Sequence, residues 1–482
     1  MRRLVTGPLA YLGELLQSIR QGWNDFFFRP TDPTALGLIR LTTGALLLWS
    51  MLVAGFDLPA YFSSTGWSDI PLIRQRLAIQ ASTGWSFWFA VPDSAIVPVW
   101  IGCLVVLSLY TVGLFSRVTA VLAWVITVST ARRIPFTLYG FDQIISTWAL
   151  YLAATGASGQ AVSLDRFFTR WRLARAEAVP KKQNSRFVTG SGIPEPSIAA
   201  NLALRLIQLH LVIIYGMAGL AKLRGEPWWD GTAVWGLIAA GEFRLFDLTW
   251  LAAFPGLIQL GTHLGLLMEL SYPILIWIPR LRPLVIAFVV LMHLGIGVML
   301  GLIEFSLAMV VGNLAFISGS WLRSLAVGQG GADTTSLRVL YDGVCPRCRA
   351  TMAFCTAADP ARLIEPIDLT AVNVKSIHPS LTPSACLESM HVVRADGRVF
   401  AGFDAVVQVA WCSPLLWPLA LVGSVPGVTQ VGRRVYDRIA ASRPRDVPCT
   451  DETCALPMHG AARAATPGRS TDDTKEPRPV RR

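Results

Sequence analysis

Apolar residues run along this chain in two different rhythms. Up to about Trp321 they form long stretches, the pattern of helices that cross a bilayer, for which about 20 residues each are needed. The stretches lie at 35–56, 95–115, 118–131, 142–156, 198–220, 256–278, 283–302 and 304–320. The reading is a polytopic α-helical bundle over 35–320 with about eight spans. Seven to nine are admitted, because the third and fourth are short enough to form a broken or re-entrant pair. Residues 1–34 read as a basic N-terminal tail. Arg166–Phe187 (RFFTRWRLARAEAVPKKQNSRF) alternates basic and apolar residues before turning polar. It predicts an interfacial amphipathic helix and linker near 164–197.

Beyond a Gly-, Ser- and Thr-containing linker at 321–336, the rhythm shortens. LRVLY, LIEPID and the two arms of MHVVRADGRVFAG have strand character, the last pair meeting at an Asp-Gly turn. CPRCRATMAFCTAA, FDAVVQVAWC and VTQVGRRVYDRIAASR have helical spacing. Together they predict a small α/β domain over 337–457. Residues 458–482, rich in Pro, Gly, Arg and Asp, are expected to be disordered.

Composition sharpens the first half of this picture. Of 482 residues, 53% are hydrophobic and 15% charged, against about 25% charged in soluble domains. The net charge of +11 does not imply a nucleic-acid partner, because the basic residues cluster in short loops beside apolar runs. Those loops and the N-terminal tail favour one side of the bilayer. The positive-inside rule then predicts that both termini and the C-terminal domain are cytoplasmic. The first thirty residues have no compact apolar core followed by a cleavage site, so no cleavable signal peptide is expected.

Seven of the eight cysteines follow residue 340, which places any thiol chemistry there. In YDGVCPRCRATMAF, Cys345 stands between a strand-ending turn and a helix start. Free N–H groups and the helix dipole favour the thiolate there, and Arg347 and Arg349 add positive charge. Cys345 is therefore expected to be the more exposed nucleophile, with Cys348 as the resolving thiol. Pro346 suits the first helical turn, where no N–H is needed. Asp342 either caps the turn or takes the proton of Cys348 through water. Two alternatives stay open. Cys345, Cys348, Cys449 and Cys454 form a four-thiolate set for zinc, or the pair is inert. Cys355, Cys386 and Cys412 read as core.

Ionisable groups also interrupt the apolar half: Arg40, Asp142, Arg205, His210, His263, Glu269, His293 and Glu304. Each costs about 2.5–3.5 kcal/mol at membrane depth on insertion scales, so each is a functional candidate unless paired. Arg40 reads as structural, and Asp142 is placed to cap a helix. In YGMAGLAKLRGEPWWDGTAVW, a helix of small residues ends at Lys222 before a turn with two tryptophans. Lys222 either snorkels or, held in a drier site, acts as a base.

Two resemblances rest on these residues. Asp342-Gly-Val-Cys345-Pro-Arg-Cys348 is similar to the signature of the DCC family (DUF393), predicted thiol-disulfide oxidoreductases with a thioredoxin-like fold. The hairpin and later helices agree with it, over about 337–457. Pro383 is the nearest candidate for the cis-proline that thioredoxins hold against their cysteines. The A-G-x-x-K-L turn with Lys222, then His263, Glu269 and His293, resembles the membrane domain of HTTM proteins and vitamin K-dependent gamma-carboxylase, over about 20–320. LIR with Arg40 and GFDQI fit its bacterial branch, which implies a bacterial inner membrane. That resemblance makes Lys222 a candidate base and His263 and His293 candidate site residues for a quinone-like lipid.

The combined reading is a membrane-bound dithiol–disulfide oxidoreductase using Cys345 and Cys348, which needs no cofactor for the dithiol step. A disulfide-containing protein or small thiol and membrane lipid are its expected partners. A quinone-like lipid near Lys222, His263 and His293 would exchange electrons with the dithiol. The rivals are a carboxylase-like membrane enzyme with Lys222 as base and regulatory cysteines, and a zinc-stapled protein without enzymatic activity.

Overall fold

Apolar runs of this kind become helices because a helix satisfies every backbone polar group within its own segment. The computed structural model describes residues 2–67, 69–79, 84–177, 194–240, 245–327, 337–359 and 363–442. The expected tail at 458–482, and Cys449 and Cys454, lie outside the described residues. The chain divides into two compact units, each taken by itself below. One holds Met1–Ser336 with Ala353–Ile364 and Cys412–Leu416; the other holds Leu337–Met352, Glu365–Trp411 and Trp417–Arg482.

The principal helices of the first half are α1 (Arg2–Phe27), α2 (Thr34–Ala54), α3 (Ile96–Val112), α4 (Ser116–Arg133), α5 (Gly140–Thr155), α6 (Leu164–Glu177), α7 (Ile198–Lys222), α8 (Pro255–Leu275), α9 (Arg282–Leu300), α10 (Ile303–Gly312) and α11 (Gly319–Val327). Residues 1–34, read as a tail, thus hold a 26-residue helix. Its Tyr11, Leu15, Ile19 and Trp23, spaced four apart, share one exposed face.

The expectation of eight spans is not reached. Among the described residues, four helical stretches are long and apolar enough to cross a membrane: Thr34–Phe62, Asp93–Val112, Ile198–Lys222 and Arg282–Leu300. A fifth counts if Ile303–Phe316 and Gly319–Leu325, bent by 111°, form one span. The other expected stretches do form helices, but each falls short physically. The 16 residues of α5 rise about 24 Å, less than the hydrocarbon core of about 30 Å. Helix α4 ends on Arg132 and Arg133, and α8 carries Gln259, His263 and Glu269.

Within this half α2 packs on α3, α4 on α5, and α7 on α8. The α7–α8 contact is close because Gly216 and Gly219 offer no side chain. A Cβ at Gly219 would lie 3.0 Å from Leu270 Cδ2, and one at Gly216 3.2 Å from Pro273 Cγ. Small residues are the usual means of bringing helices together in a membrane.

The C-terminal part contains β1 (Leu337–Tyr341), α12 (Pro346–Ala358), β2 (Ile364–Asp368), α13 (Pro383–Glu388), β3 (His391–Val393), β4 (Val399–Ala401), α14 (Gly402–Trp411), α15 (Trp417–Gly423) and α16 (Pro426–Ala441). Its four-stranded mixed sheet has the order β2-β1-β3-β4. β1 and β3 are antiparallel, with Leu340 opposite His391, and β3 pairs with β4, with Val392 opposite Phe400. Gly397, at φ +78°, supplies the left-handed residue of the hairpin turn. Leu340, Val374, Leu381, Cys386 and Val393 form one apolar cluster of this domain. Strand β1 is interior to the sheet, so its end, and the start of α12, are fixed by pairing on both edges.

Candidate functional sites

The turn between β1 and α12 is built by Asp342. Its Oδ1 accepts the N–H of Val344 at 3.0 Å, and its backbone carbonyl accepts the N–H of Cys345 at 3.3 Å. The side chain therefore caps the turn, one of its two expected roles. Pro346 opens α12, and the helical N–H that meets the sulfur is that of Cys348. It donates to Cys345 Sγ at 3.4 Å, the placement that stabilises a thiolate. Arg349 ties the same loop down, Nη1 donating to the carbonyls of Gly343 at 2.8 Å and Val344 at 3.2 Å.

The exposure of the pair reverses the expectation. Cys345 is 0% exposed, whereas Cys348 is half-buried. The sulfur of Cys345 is buried and meets the Cys348 amide. Asp368, at the end of β2, presses on the 342–345 turn from below: a Cβ on Gly343 would collide with its carboxylate. Asp368 also accepts from Thr370, N–H at 2.9 Å and Oγ1 at 2.8 Å, which fixes its orientation. Sequence reasoning missed Asp368, and the glycine next to Asp342 was the available signal.

Cys355, Cys386 and Cys412 are buried, as expected of core thiols. Burial pushes the Cys355 thiol up to about 12 and that of Cys386 up to about 11, which keeps both protonated at neutral pH. Among the described residues no group of three or more His, Cys, Asp and Glu side chains is placed to hold a metal. Cys449 and Cys454 of the zinc alternative lie outside those residues. Pro383 opens α13, and no cis peptide bond occurs among the described residues.

The membrane half assembles a second polar cluster. Tyr215 and Lys222, seven residues apart, share a face of α7, and Glu269 and Tyr272, three apart, share a face of α8. The faces meet antiparallel. Lys222 Nζ donates to both carboxylate oxygens of Glu269 at 2.5 Å, and the Tyr215 and Tyr272 rings meet at a tilt of 38° with centroids 4.1 Å apart. Tyr215 Oη lies 2.8 Å from His293 Nε2, and Tyr272 donates to Asn313 Oδ1 at 2.8 Å. Lys222 also sits 4.9 Å over the Trp228 ring. His293 is buried, and its Nδ1 has no hydrogen-bond partner in the structure.

His263 has a different setting. Its ring is exposed, and Nε2 is 3.3 Å from the carbonyl of Trp229, on the turn that follows Lys222. Sequence reasoning singled out Lys222 and His293 but missed Tyr215, Tyr272 and Asn313. It named Glu269 without pairing it to Lys222. Spacings of three and seven residues were the signal, and they become decisive only once the two faces are known to meet.

The other ionisable groups of this half make local contacts. Arg40 donates to the carbonyls of Tyr110 at 2.7 Å and Thr111 at 2.9 Å, and to that of Val162, closing the end of α3. Asp142 Oδ2 accepts the N–H of Tyr139 at 3.0 Å in a capping box that starts α5. Arg205 donates to the carbonyl of Phe26 at 3.0 Å. Glu304 accepts from the Trp49 indole at 3.0 Å. His210 meets the Tyr151 ring edge-on.

Comparison with protein-family models matches residues 195–321 to the HTTM domain and residues 339–446 to the DCC1-like thiol-disulfide oxidoreductase domain, in that order. No curated protein and no solved structure matches the chain. The HTTM match, together with the apolar helices, is that of an integral membrane protein.

Proposed function

We propose, for a chain that carries an HTTM domain ahead of a DCC1-like thiol-disulfide oxidoreductase domain, that it is a membrane-bound dithiol–disulfide oxidoreductase. The observation that carries this reading is the Cys348 amide aimed at Cys345 Sγ on the first turn of a helix. The sheet order and the β-α-β start followed by a hairpin support a thioredoxin-like domain. In the reaction the Cys345 thiolate attacks one sulfur of a substrate disulfide. The other sulfur leaves as a thiolate and takes a proton. Cys348, deprotonated, then attacks Cys345, releasing the second substrate thiolate and leaving a Cys345–Cys348 disulfide. Two electrons have passed from the protein dithiol to the substrate. Asp342, at the turn, is the candidate acceptor of the Cys348 proton. Because Cys345 is buried, the packing around it must yield before a disulfide reaches it, and the Arg349 bonds to Gly343 and Val344 resist movement of the turn.

The disulfide is reset by a two-electron donor, for which a small thiol or a quinol-type lipid has the right chemistry. The membrane cluster fits such a lipid: His293 Nδ1 is buried without a partner, and the Lys222 side chain is 25% exposed beside Trp228. A quinone-like lipid bound there would supply a two-electron, two-proton couple. Lys222 and His293 would hold its polar end, and Glu269 would keep the Lys222 ammonium in place. His263 is assigned to the rim, at the Trp229 turn. The Lys and Arg distribution supports cytoplasmic termini, and the resemblance to the bacterial branch supports an inner membrane.

Reconstituted full-length protein tests the reading. Cys348→Ser should accumulate a mixed disulfide between substrate and residue 345, visible by mass spectrometry, and Cys345→Ser should form none. Equal adducts on both variants, or none on either, would sink the dithiol mechanism. Quinol oxidation that persists unchanged in Cys345→Ser would separate the two halves. The Lys222–Glu269 pair favours one second reading, a carboxylase-like membrane enzyme with Lys222 as base. There Lys222→Ala abolishes activity that Cys345→Ser spares.

A further inference from the structure

The dithiol domain hides its apolar side chains well except in one region. Of the large apolar residues left exposed after residue 336, all but Val372 lie between Trp411 and Ile439, among the described residues. They belong to α15, α16 and the segments beside them. Helix α16 has 16 residues and none of them is buried.

The helix is nonetheless oriented. Gly432 is covered by the Phe403 ring, Tyr436 packs on Gly402, and Tyr436 Oη accepts the N–H of Met390 at 2.8 Å. At about 100° per residue, Val428, Val431, Val435 and Ile439 fall on one stripe beside this anchored edge. They are 40, 58, 48 and 50% exposed. Leu421 and Val422 of α15 are 59 and 56% exposed. Arg434 and Arg438 each precede a stripe residue and are exposed along its outer border. The third arginine, Arg433, is held by Asp404 at 2.8 Å on the domain side. Asp437 lies around the helix from the stripe. Trp417, on α15, is 48% exposed.

We propose that the α15–α16 stripe is a membrane-binding surface that seats the dithiol domain on an anionic lipid bilayer. An apolar stripe bordered by arginines is the composition of a helix lying in the headgroup plane, and the exposed Trp417 of neighbouring α15 is of the kind found at that depth. The arginines extend their stems beside the stripe and offer guanidinium groups to lipid phosphates. An anionic bilayer is the occupant this charge pattern selects. A tether of only residues 328–336 joins the last helix of the membrane half to β1, so a bilayer is within the domain's reach. A soluble domain leaving so many apolar groups in water would invite aggregation.

The surface has a consequence for the dithiol, and this part rests on the function proposed above. Arg347, between the two cysteines, donates from Nη1 to Ser442 Oγ at 3.1 Å, just past the end of α16. A bilayer-seated α16 therefore brings the Cys-Pro-Arg-Cys turn to headgroup depth. The reactive pair then serves disulfides or electron carriers held in the membrane rather than free in solution.

Photo-crosslinking of full-length protein in nanodiscs tests the surface without reference to redox activity. A benzoylphenylalanine at Val431 should form lipid adducts several-fold above one at Val372, and more with phosphatidylglycerol present than with phosphatidylcholine alone. The double variant Arg434→Glu/Arg438→Glu should lower the Val431 adduct several-fold. Adducts from Val431 to residues 1–327, adducts to a second copy, or lipid labelling no greater than at Val372 would each overturn the proposal. Loss of disulfide reduction with lipid adducts intact would instead count against the dithiol reading alone.

Discussion

The two polar sites of this chain are both buried, yet they are held in opposite ways. Around Lys222 the bonds that join the reactive groups run between side chains: lysine to carboxylate, tyrosine to imidazole, tyrosine to amide. Around Cys345 the bonds are to or from backbone: an amide to sulfur, amides to Asp342, a guanidinium to two carbonyls. The reason is the charge each must hold. An ammonium at membrane depth needs an opposite full charge. A thiol is neutral until it reacts, and then needs only the partial charge of an N–H at a helix start. The first kind of site should fail when one partner is removed, the second when the backbone path is bent.

The largest effect is expected at the ion pair. Glu269→Ala should destabilise the protein by about 3 kcal/mol, by leaving the half-buried Lys222 ammonium without its carboxylate. Replacing Lys222 and Glu269 together with methionine should recover most of the loss. Denaturation midpoints in detergent measure both, and a single variant as stable as wild type would remove the ion pair from the account. Next comes Gly343→Ala, expected to cost about 1–3 kcal/mol by overpacking against Asp368 and to slow disulfide reduction. Asp368→Ala should be partly compensating, so the double variant is less impaired than the sum of the singles; strict additivity would show that Gly343 and Asp368 are not coupled. Tyr215→Phe removes one hydrogen bond to His293 and should cost about 1 kcal/mol, with unfolding curves of unchanged slope. The mildest test alters no residue. Iodoacetamide at pH 8 should label half-buried Cys348 before covered Cys345, and Cys355 and Cys386 last, because burial holds those two thiols protonated. Labelling should reach them only as pH approaches their raised values. Rapid labelling of Cys345 in the native protein would show that its sulfur is not covered in solution.

Local chemistry was legible in the sequence, and tertiary cover was not. The hairpin at 391–401 followed from alternation around Asp396-Gly397, and the helix after Cys345 from its turn and proline. Asp142 was readable as structural because its cap uses backbone three residues away; Arg40 was read so from its place near a helix start, and the carbonyls it holds lie 70 residues and more along the chain. Cys345 was misjudged because its burial is set by tertiary packing, with its sulfur turned to the Cys348 amide. His293 took its role from resemblance, and its partner was missed because Tyr215 lies 78 residues away in sequence. Helix α1 was hidden by charge: the basic residues of the first segment masked an apolar repeat four residues apart. Eight spans are not confirmed, because α5 is short and α4 and α8 carry polar and charged residues among their apolar ones.

Gly216 and Gly219 work as a register key. With no methyl between the helices, the end of α7 can stop at only one point along its neighbour, where Lys222 meets Glu269 rather than Leu267 or Leu270. A single carbon added there would leave every reactive group in the sequence and move them out of alignment. In this half of the protein, the chemistry is addressed by atoms that are absent.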